Sequence, residues 1–359
     1  WGRKTLPAQQ ELRPPAEFCL ESKRLMFRPE IQAMSGYVPG EQPQAGKFIK
    51  LNTNENPYPP SQRALQAIRD AASSALARYP DPVANAFRIK AAELFDVEPE
   101  MVLCGNGSDD ILTIVTRACV GQGQRLRLPY PSYVLYRTLA QLQGAQWQQV
   151  PFNKDWSLAP DFSESDENLK LVFLPNPNSP SGTMIPPDQI LALAEKLPCP
   201  LLVDEAYAEF ADTNCISLVK RSEKILVSRT LSKSSGLAGL RFGYLVAQPQ
   251  VIQQLSKVKD SYTCDALSIA AATAASSDQA WLKENRARIL ASRQRMFDQL
   301  SQVGFSVLPS QANFLWCTHA ERPLEPVYQQ LKSARILVRY MKYPDWGEGL
   351  RISVGTDEQ

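Results

Sequence analysis

Lys233 sits in VSRTLSKSSGLAGLRFGYLVA, just past an apolar run, among small flexible neighbours and with Arg241 eight residues further on. A lysine held among Ser and Gly near a fixed guanidinium can act as a Schiff-base amine instead of a solvated surface ammonium. PLLVDEAYAEF puts Asp204 at the end of another apolar run, with Tyr207 three residues later. A carboxylate there is costly unless it meets a cation, which a protonated heterocyclic nitrogen would supply. In CGNGSDDILTIVTRAC, Gly107, Ser108 and Asp109 head an apolar helix, whose first turn offers backbone N–H groups and a positive dipole end to a phosphate. Ser108 would serve equally as a plain N-cap. The hydroxyl of Ser232 and the cation of Arg241, flanking Lys233, favour the anion site. Tyr133 in LPYPSYVLYR offers a ring face for stacking. Arg339 in ILVRYM and Arg351 in GLRISVG suit bidentate capture of carboxylate or phosphate. A phosphate, a ring nitrogen, a stacked ring face and an amine to hold an aldehyde together describe pyridoxal 5′-phosphate.

The bulk properties fit a globular enzyme and exclude other classes. The chain of 359 residues is long enough for two lobes. Lys+Arg of 39 against Asp+Glu of 37 leave a net charge of +2, so neither nucleic acid nor an anionic membrane surface is an expected partner. No apolar run approaches the ~18 residues of a membrane span, and the expectation is a soluble, cytoplasmic protein. Seven scattered cysteines without CxxC spacing read as reduced thiols, neither a disulfide framework nor a metal site. His319 is the only histidine and reads as a surface residue, which removes the usual Ser-His-Asp triads and multi-histidine metal sites.

Seven short apolar runs, MVLC, QRLRL, WQQV, KLVFL, PLLVDEAY, KILVS and RFGYLVA, alternate with helical patterns. That alternation predicts an α/β domain with a mostly parallel sheet, whose ligand lies beyond the carboxyl ends of the strands. SQRALQAIRDAASSALARY predicts an amphipathic helix begun by Ser61. Ser268 to about Gln302 predicts one long helix bridging to a smaller lobe. The expected division is a poorly ordered extension over 1–27, with Met26 as a natural start, and an arm over 28–60 that joins the small domain and a dimer contact. A large coenzyme-binding domain follows over 61–265, then a small domain over 266–359 whose final helix would follow Gln359.

The chain resembles the fold-type I pyridoxal-phosphate aminotransferases, and within their class II the histidinol-phosphate aminotransferases, from about Arg28 to Glu358. The motifs that carry this are SGYVPGEQP, LNTNENPYPPS, RYPDP, GNGSDD, PYPSY, PNPNSPSG, VDEAYAEF, SRTLSKSSGLAGLRFGY, QANFLW and LRISVGTDE, in that order. The resemblance implies a large domain with a mostly parallel mixed sheet plus a smaller α/β domain. It also implies amino-group exchange between histidinol phosphate/imidazole-acetol phosphate and glutamate/2-oxoglutarate, in histidine biosynthesis.

On the same ground Lys233 would hold the coenzyme aldehyde and shuttle a proton, Asp204 would keep the ring nitrogen protonated, Tyr207 would bond O3′ and Tyr133 would stack. Gly107, Ser108, Asp109, Ser232 and Arg241 would hold the phosphate, with Tyr58 reaching that of a neighbouring subunit in a homodimer with shared sites. Tyr37, Asn54, Tyr262, Asn313, Arg339 and Arg351 would line the substrate pocket. One departure stands out: where the family usually has Asn before the Pro of its NPTG motif, Ser179 stands here, with Asn178 one place earlier. Either Ser179 or Asn178 is expected to serve O3′. Rival readings are an aromatic-amino-acid aminotransferase or amino-acid-phosphate decarboxylase on the same scaffold, or a non-catalytic ligand-sensing regulator. The last lacks any helix-turn-helix pattern before residue 60.

Overall fold

The computed structural model describes residues 26–34, 40–42 and 46–359. Tyr37 and the expected extension up to residue 25 lie outside the described residues. Helix α1 (Pro29–Ala33) and strand β1 (Ile49–Lys50) precede α2 (Gln62–Ala71) and α3 (Asn85–Phe95). The large lobe then contributes β2 (Val102–Gly105), α4 (Ser108–Cys119), β3 (Arg125–Tyr130), α5 (Leu135–Leu142), β4 (Gln146–Pro151), β5 (Leu169–Pro175), α6 (Pro187–Lys196), β6 (Leu201–Asp204), β7 (Ile225–Thr230) and β8 (Gly243–Val246). Helices α7 (Pro249–Leu255), α8 (Ala266–Ser277) and α9 (Gln279–Gln302) lead to β9 (Ser306–Val307), β10 (Phe314–Thr318), α10 (Leu324–Ser333), β11 (Ile336–Leu337), β12 (Arg339–Tyr343) and β13 (Gly347–Ser353).

The seven apolar runs become one sheet in the order β2-β8-β7-β6-β5-β3-β4, parallel from β7 to β4. β8 runs antiparallel to both its neighbours. Helices cover both faces, so the central strands are apolar on both sides and read as continuous hydrophobic runs. Alternate residues feed two cores: Leu201, Val203, Ile225 and Val227 face one, Leu202, Leu226 and Leu245 the other. In the small lobe β12-β13-β10-β9 form an antiparallel sheet, packed through Leu315, Cys317, Leu350 and Ile352 against Leu324 of α10. The arm is stitched to this lobe by parallel pairing of Ile49 with Ile336.

Two elements depart from expectation. Ser61 does cap α2, accepting from the Ala64 N–H, but the helix ends at Ala71, because Ala72 (φ −76°, ψ 75°) leaves the helical region. The single bridge helix is two helices. Asp278 (φ −94°, ψ 63°) breaks the run and accepts a bond from the Trp281 N–H, which starts α9. α8 packs within the large core through Ile269, Ala271, Ala272 and Ala275, while Met296, Phe297 and Leu300 of α9 pack on the small-lobe core. Among the described residues no helix is long and apolar enough to cross a membrane.

Candidate active site

The sheet topology brings the chemistry to one edge. Asp204 ends β6, Lys233 follows β7, Ser179 follows β5, and Ser108 and Tyr133 follow β2 and β3. β8 runs the opposite way, so its beginning lies at that same edge: Gly243 pairs with Gly105 on one side and Thr230 on the other. Arg241 is thereby delivered beside the head of α4. The cavity there, about 500 Å³, lies between this edge and the small lobe, with Asn52, Thr53 and Asn54 of the arm in its wall.

One end of the cavity is built for an anion. α4 starts at Ser108 with Gly107 as its N-cap (φ 89°), so the Ser108 hydroxyl is not consumed in capping and lines the cavity. Arg241 Nη1 donates to Ser232 Oγ at 3.3 Å, and Arg241 Nη2 lies 3.6 Å from the Asp109 carboxylate. Asp109 Oδ1 also accepts a long bond, 3.4 Å, from the Tyr133 hydroxyl. The Asp109 side chain thus faces a cation and a phenol, and its backbone N–H is what this helix end offers an anion. The approach depends on glycine: a Cβ at Gly243 would sit 2.4 Å from both the Gly107 carbon and the Ser108 nitrogen, and one at Gly107 would meet Arg241 at 2.6 Å. Gly243→Ala is therefore expected to push the first turn of α4 away from Arg241. It should weaken coenzyme affinity by about tenfold or more, read by fluorescence titration of the apoprotein, a displacement of ~1 Å being enough for such losses.

The opposite end is a buried carboxylate. Asp204 is 6% exposed. Its Oδ2 accepts from Tyr136 at 2.8 Å, and Oδ1 from Ser228 at 3.3 Å and the Ala206 N–H at 3.2 Å. Burial raises its pKa to about 6 while the Tyr136 bond holds it down. Between the two ends, Lys233 Nζ donates to the Thr53 carbonyl at 3.1 Å and lies 5.8 Å from the Tyr207 ring centroid. Burial, followed by Arg351, lowers its pKa to about 8. The Tyr207 hydroxyl accepts from Asn54 Nδ2 at 3.0 Å.

Arg339 and Arg351 are direct cross-strand partners on β12 and β13, so both side chains leave the same face of that sheet and line the cavity. Two like charges set opposite one another repel, an arrangement that a shared anion relieves. Arg351 Nη1 donates to Ser179 Oγ at 2.8 Å and Nη2 to the Asn52 carbonyl at 3.1 Å. Ser179 lines the cavity, whereas the Asn178 amide turns to the Pro131 carbonyl and to Ser181 Oγ at 2.9 Å. Of the two alternatives for the usual asparagine, Ser179 is the one with access.

Residues 46–359 match the family model for aminotransferase class I and II. A histidinol-phosphate aminotransferase of Rhodopirellula baltica is 59% identical, over 93% of this chain and 93% of that protein. The chain belongs to the histidinol-phosphate aminotransferase family. A second relative of that name, from Nostoc, is 46% identical over 93% of this chain and 94% of its own length. Among solved structures, the histidinol-phosphate aminotransferase of Sinorhizobium meliloti in complex with pyridoxal 5′-phosphate superimposes with a TM-score of 0.84 at 29% identity, covering 94% of this chain and 95% of that one. An aspartate aminotransferase of Thermus thermophilus shares the fold, with a TM-score of 0.77 at 20% identity.

The coenzyme of this aminotransferase is pyridoxal 5′-phosphate, and the cavity fits it. A glycine-lined anion cradle, a buried carboxylate ready for a cation and an amine of lowered basicity stand in one cavity. The amine must be neutral to capture an aldehyde. Because the Lys233 pKa lies near 8, below the ordinary 10.5, capture of coenzyme by the apoprotein should speed up as pH rises and level off above about 8. Stopped-flow absorbance at fixed coenzyme measures this; a midpoint near 10.5 would contradict it.

Several expected residues lie elsewhere. Tyr262 is 47% exposed and stacks on Tyr79 at 4.4 Å, away from the cavity of its own chain. Tyr58, expected at the phosphate of a neighbouring subunit and not in its own cavity, lies outside that cavity, under Arg288 at 5.5 Å. Asn313 is fully buried behind the wall, donating to the Asn54 carbonyl at 3.0 Å, so it braces Asn54 and lines nothing itself. His319 is only part-exposed: its Nδ1 accepts from the N–H groups of Glu321 and Arg322 in a loop remote from the site. Sequence reasoning missed Thr53 and Tyr136. A backbone carbonyl leaves no sequence signal, and a tyrosine inside an apolar helix face reads as core.

Proposed function

We propose that this enzyme exchanges an amino group between histidinol phosphate/imidazole-acetol phosphate and glutamate/2-oxoglutarate, in histidine biosynthesis. The observation that carries the reading is the cross-strand pair Arg339 and Arg351 in the wall of a cavity that also holds Lys233 and Asp204. Guanidinium forks suit carboxylate and phosphate alike, so one pair can hold either acid.

When bound, pyridoxal phosphate supplies an aldehyde that condenses with amines and a ring that accepts electrons from the substrate Cα. The chain supplies the rest. Lys233 would hold the aldehyde and, as a free amine, would carry the proton at the substrate Cα. Asp204 retains the proton on the ring nitrogen, held in place by Tyr136, Ser228 and the Ala206 N–H. Tyr133 would cover one ring face, and Tyr207 and Ser179 would serve O3′, all three lining the cavity. Ser108, Ser232, Arg241 and the first N–H groups of α4 hold the phosphate.

Tyr58 and Tyr262, turned away from their own chain's cavity, fit a homodimer in which each lines the neighbour's site. A cytoplasmic enzyme fits the same reading. The test mixes holoenzyme separately with L-histidinol phosphate, L-phenylalanine and L-glutamate, following conversion to the amine form of the coenzyme by absorbance. Histidinol phosphate and glutamate are expected to convert it. Conversion by glutamate or phenylalanine but not by histidinol phosphate rejects the assignment.

A further inference from the structure

Two cations of the cavity wall, Arg137 and Lys342, have no part in the roles above. Lys342 is exposed on the edge strand β12, where water satisfies it. Arg137 is different. It lies in the first turn of α5, next to the Tyr136 that reaches Asp204, and only partly meets solvent. Its Nε is buried with no acceptor, and the side chain makes no hydrogen bond or ion pair with any described residue. Other buried arginines of this lobe each meet fixed groups: Arg127 the Phe162 and Glu164 carbonyls, Arg229 the carboxylates of Glu205 and Glu209. A guanidinium donor buried without an acceptor is costly, and Arg137 lines the cavity in which an anion would give the guanidinium a partner.

Its position relative to the arginine pair can be traced. Burial raises the Tyr130 hydroxyl pKa and nearby Arg137 opposes the rise. The Tyr130 ring meets Tyr343 edge-on at 5.9 Å. Burial likewise raises Tyr343, where Arg351 and Arg339 oppose it. Arg137, Arg339, Arg351 and Tyr343 all line the same cavity. Being direct cross-strand partners in the wall of one cavity, Arg339 and Arg351 are placed to share one anion. Glutamate carries two carboxylates, whereas histidinol phosphate ends in a phosphate and a weakly basic ring. The second carboxylate therefore needs a cation beyond the pair.

We propose that Arg137 receives the second carboxylate of the dicarboxylate substrate, so that a cavity shaped for histidinol phosphate also accepts glutamate and 2-oxoglutarate. This rests on the substrate reading above. The test uses holoenzyme with unchanged sequence and the variants Arg137→Met, Arg137→Lys and Lys342→Met. Glutarate and valerate binding are followed by titration of the coenzyme spectrum, and single-turnover conversion is followed with L-glutamate and L-histidinol phosphate.

Arg137→Met is expected to weaken glutarate binding and slow conversion by glutamate by about 30-fold, while valerate and histidinol phosphate change by less than about threefold. Arg137→Lys should recover part of the loss, because the charge survives without the fork. Equal losses for glutamate and histidinol phosphate, no loss for glutamate, or a selective loss in Lys342→Met instead would each overturn the proposal. If the unchanged enzyme ignores histidinol phosphate, the substrate reading falls, while the glutarate and valerate comparison still decides the role of Arg137.

Discussion

Lys233→Ala is expected to lower transamination by at least about 10⁴-fold with either amino donor, because it removes both the amine that holds the aldehyde and the base that moves the Cα proton. The fold should survive. Lys233 contributes no core packing, and its Nζ is held by a single bond to the Thr53 carbonyl. Its folded pKa, about 8, is below the ordinary 10.5, so below pH 8 the folded apoprotein carries an ammonium that its surroundings disfavour. The Ala variant lacks that penalty, and at pH 7 the apo form should melt no lower than the unchanged chain. Borohydride reduction of the holoenzyme followed by peptide mapping should tag position 233, and no position in the variant. Turnover within about tenfold of the unchanged enzyme, or a tag on another lysine, would end this mechanism.

Asp204→Asn should cost about 10² to 10³-fold in kcat, the usual consequence of deleting a preorganised charge aimed at the reacting system. The change is isosteric and leaves the Ala206 N–H, Ser228 and Tyr136 with a partner, so the site should keep its shape. What disappears is the negative charge that, in the proposed roles, would face the ring nitrogen. Without coenzyme Asp204 has a pKa near 6, raised by burial. A protonated ring nitrogen beside it would favour the carboxylate and draw that value down. In Asp204→Asn the ring nitrogen should lose its proton at lower pH, visible in the pH dependence of the coenzyme spectrum. Coenzyme affinity should fall as well. A loss in kcat below about threefold would mean that another group carries the ring charge.

The residues gathered at the cavity edge were legible because they lie next to strong local signals. Lys233, Asp204, Ser108 and Tyr133 each directly follow or end a β-strand, and a buried strand is hard to miss as an apolar run bounded by polar or small residues. Gly107 follows β2 and Arg241 precedes β8, so the same apolar runs mark them. The substrate wall was harder. Arg339 and Arg351 were recognisable as arginines in strands, but their direct opposition follows from the register of β12 against β13, which no local pattern states. Asn313 was expected in the pocket on the family resemblance alone, yet it packs behind Asn54. Tyr262 and Tyr58 could not be located from sequence, since whether they face their own cavity depends on how distant segments cross.

The break at Asp278 shows the same division at the level of elements. The Ala- and Arg-rich stretch is helical by propensity on both sides. Its interruption comes from the carboxylate capping the following turn, and from α8 packing on the large core while the end of α9 packs on the small one.

From sequence alone came the alternating strand and helix architecture, the lysine, the buried acid and the glycine-bounded helix start, since these depend on interactions among residues close along the chain. Tertiary structure alone decided that Tyr136 meets Asp204 and that Ser179, not Asn178, reaches the cavity. It alone decided that Arg339 and Arg351 stand opposite one another in the cavity wall and that Arg137, in the same wall, meets no partner among the described residues. Each of these depends on the spacing of groups remote in sequence, and such spacing exists only once the sheet edge, the arm and the small lobe are packed together.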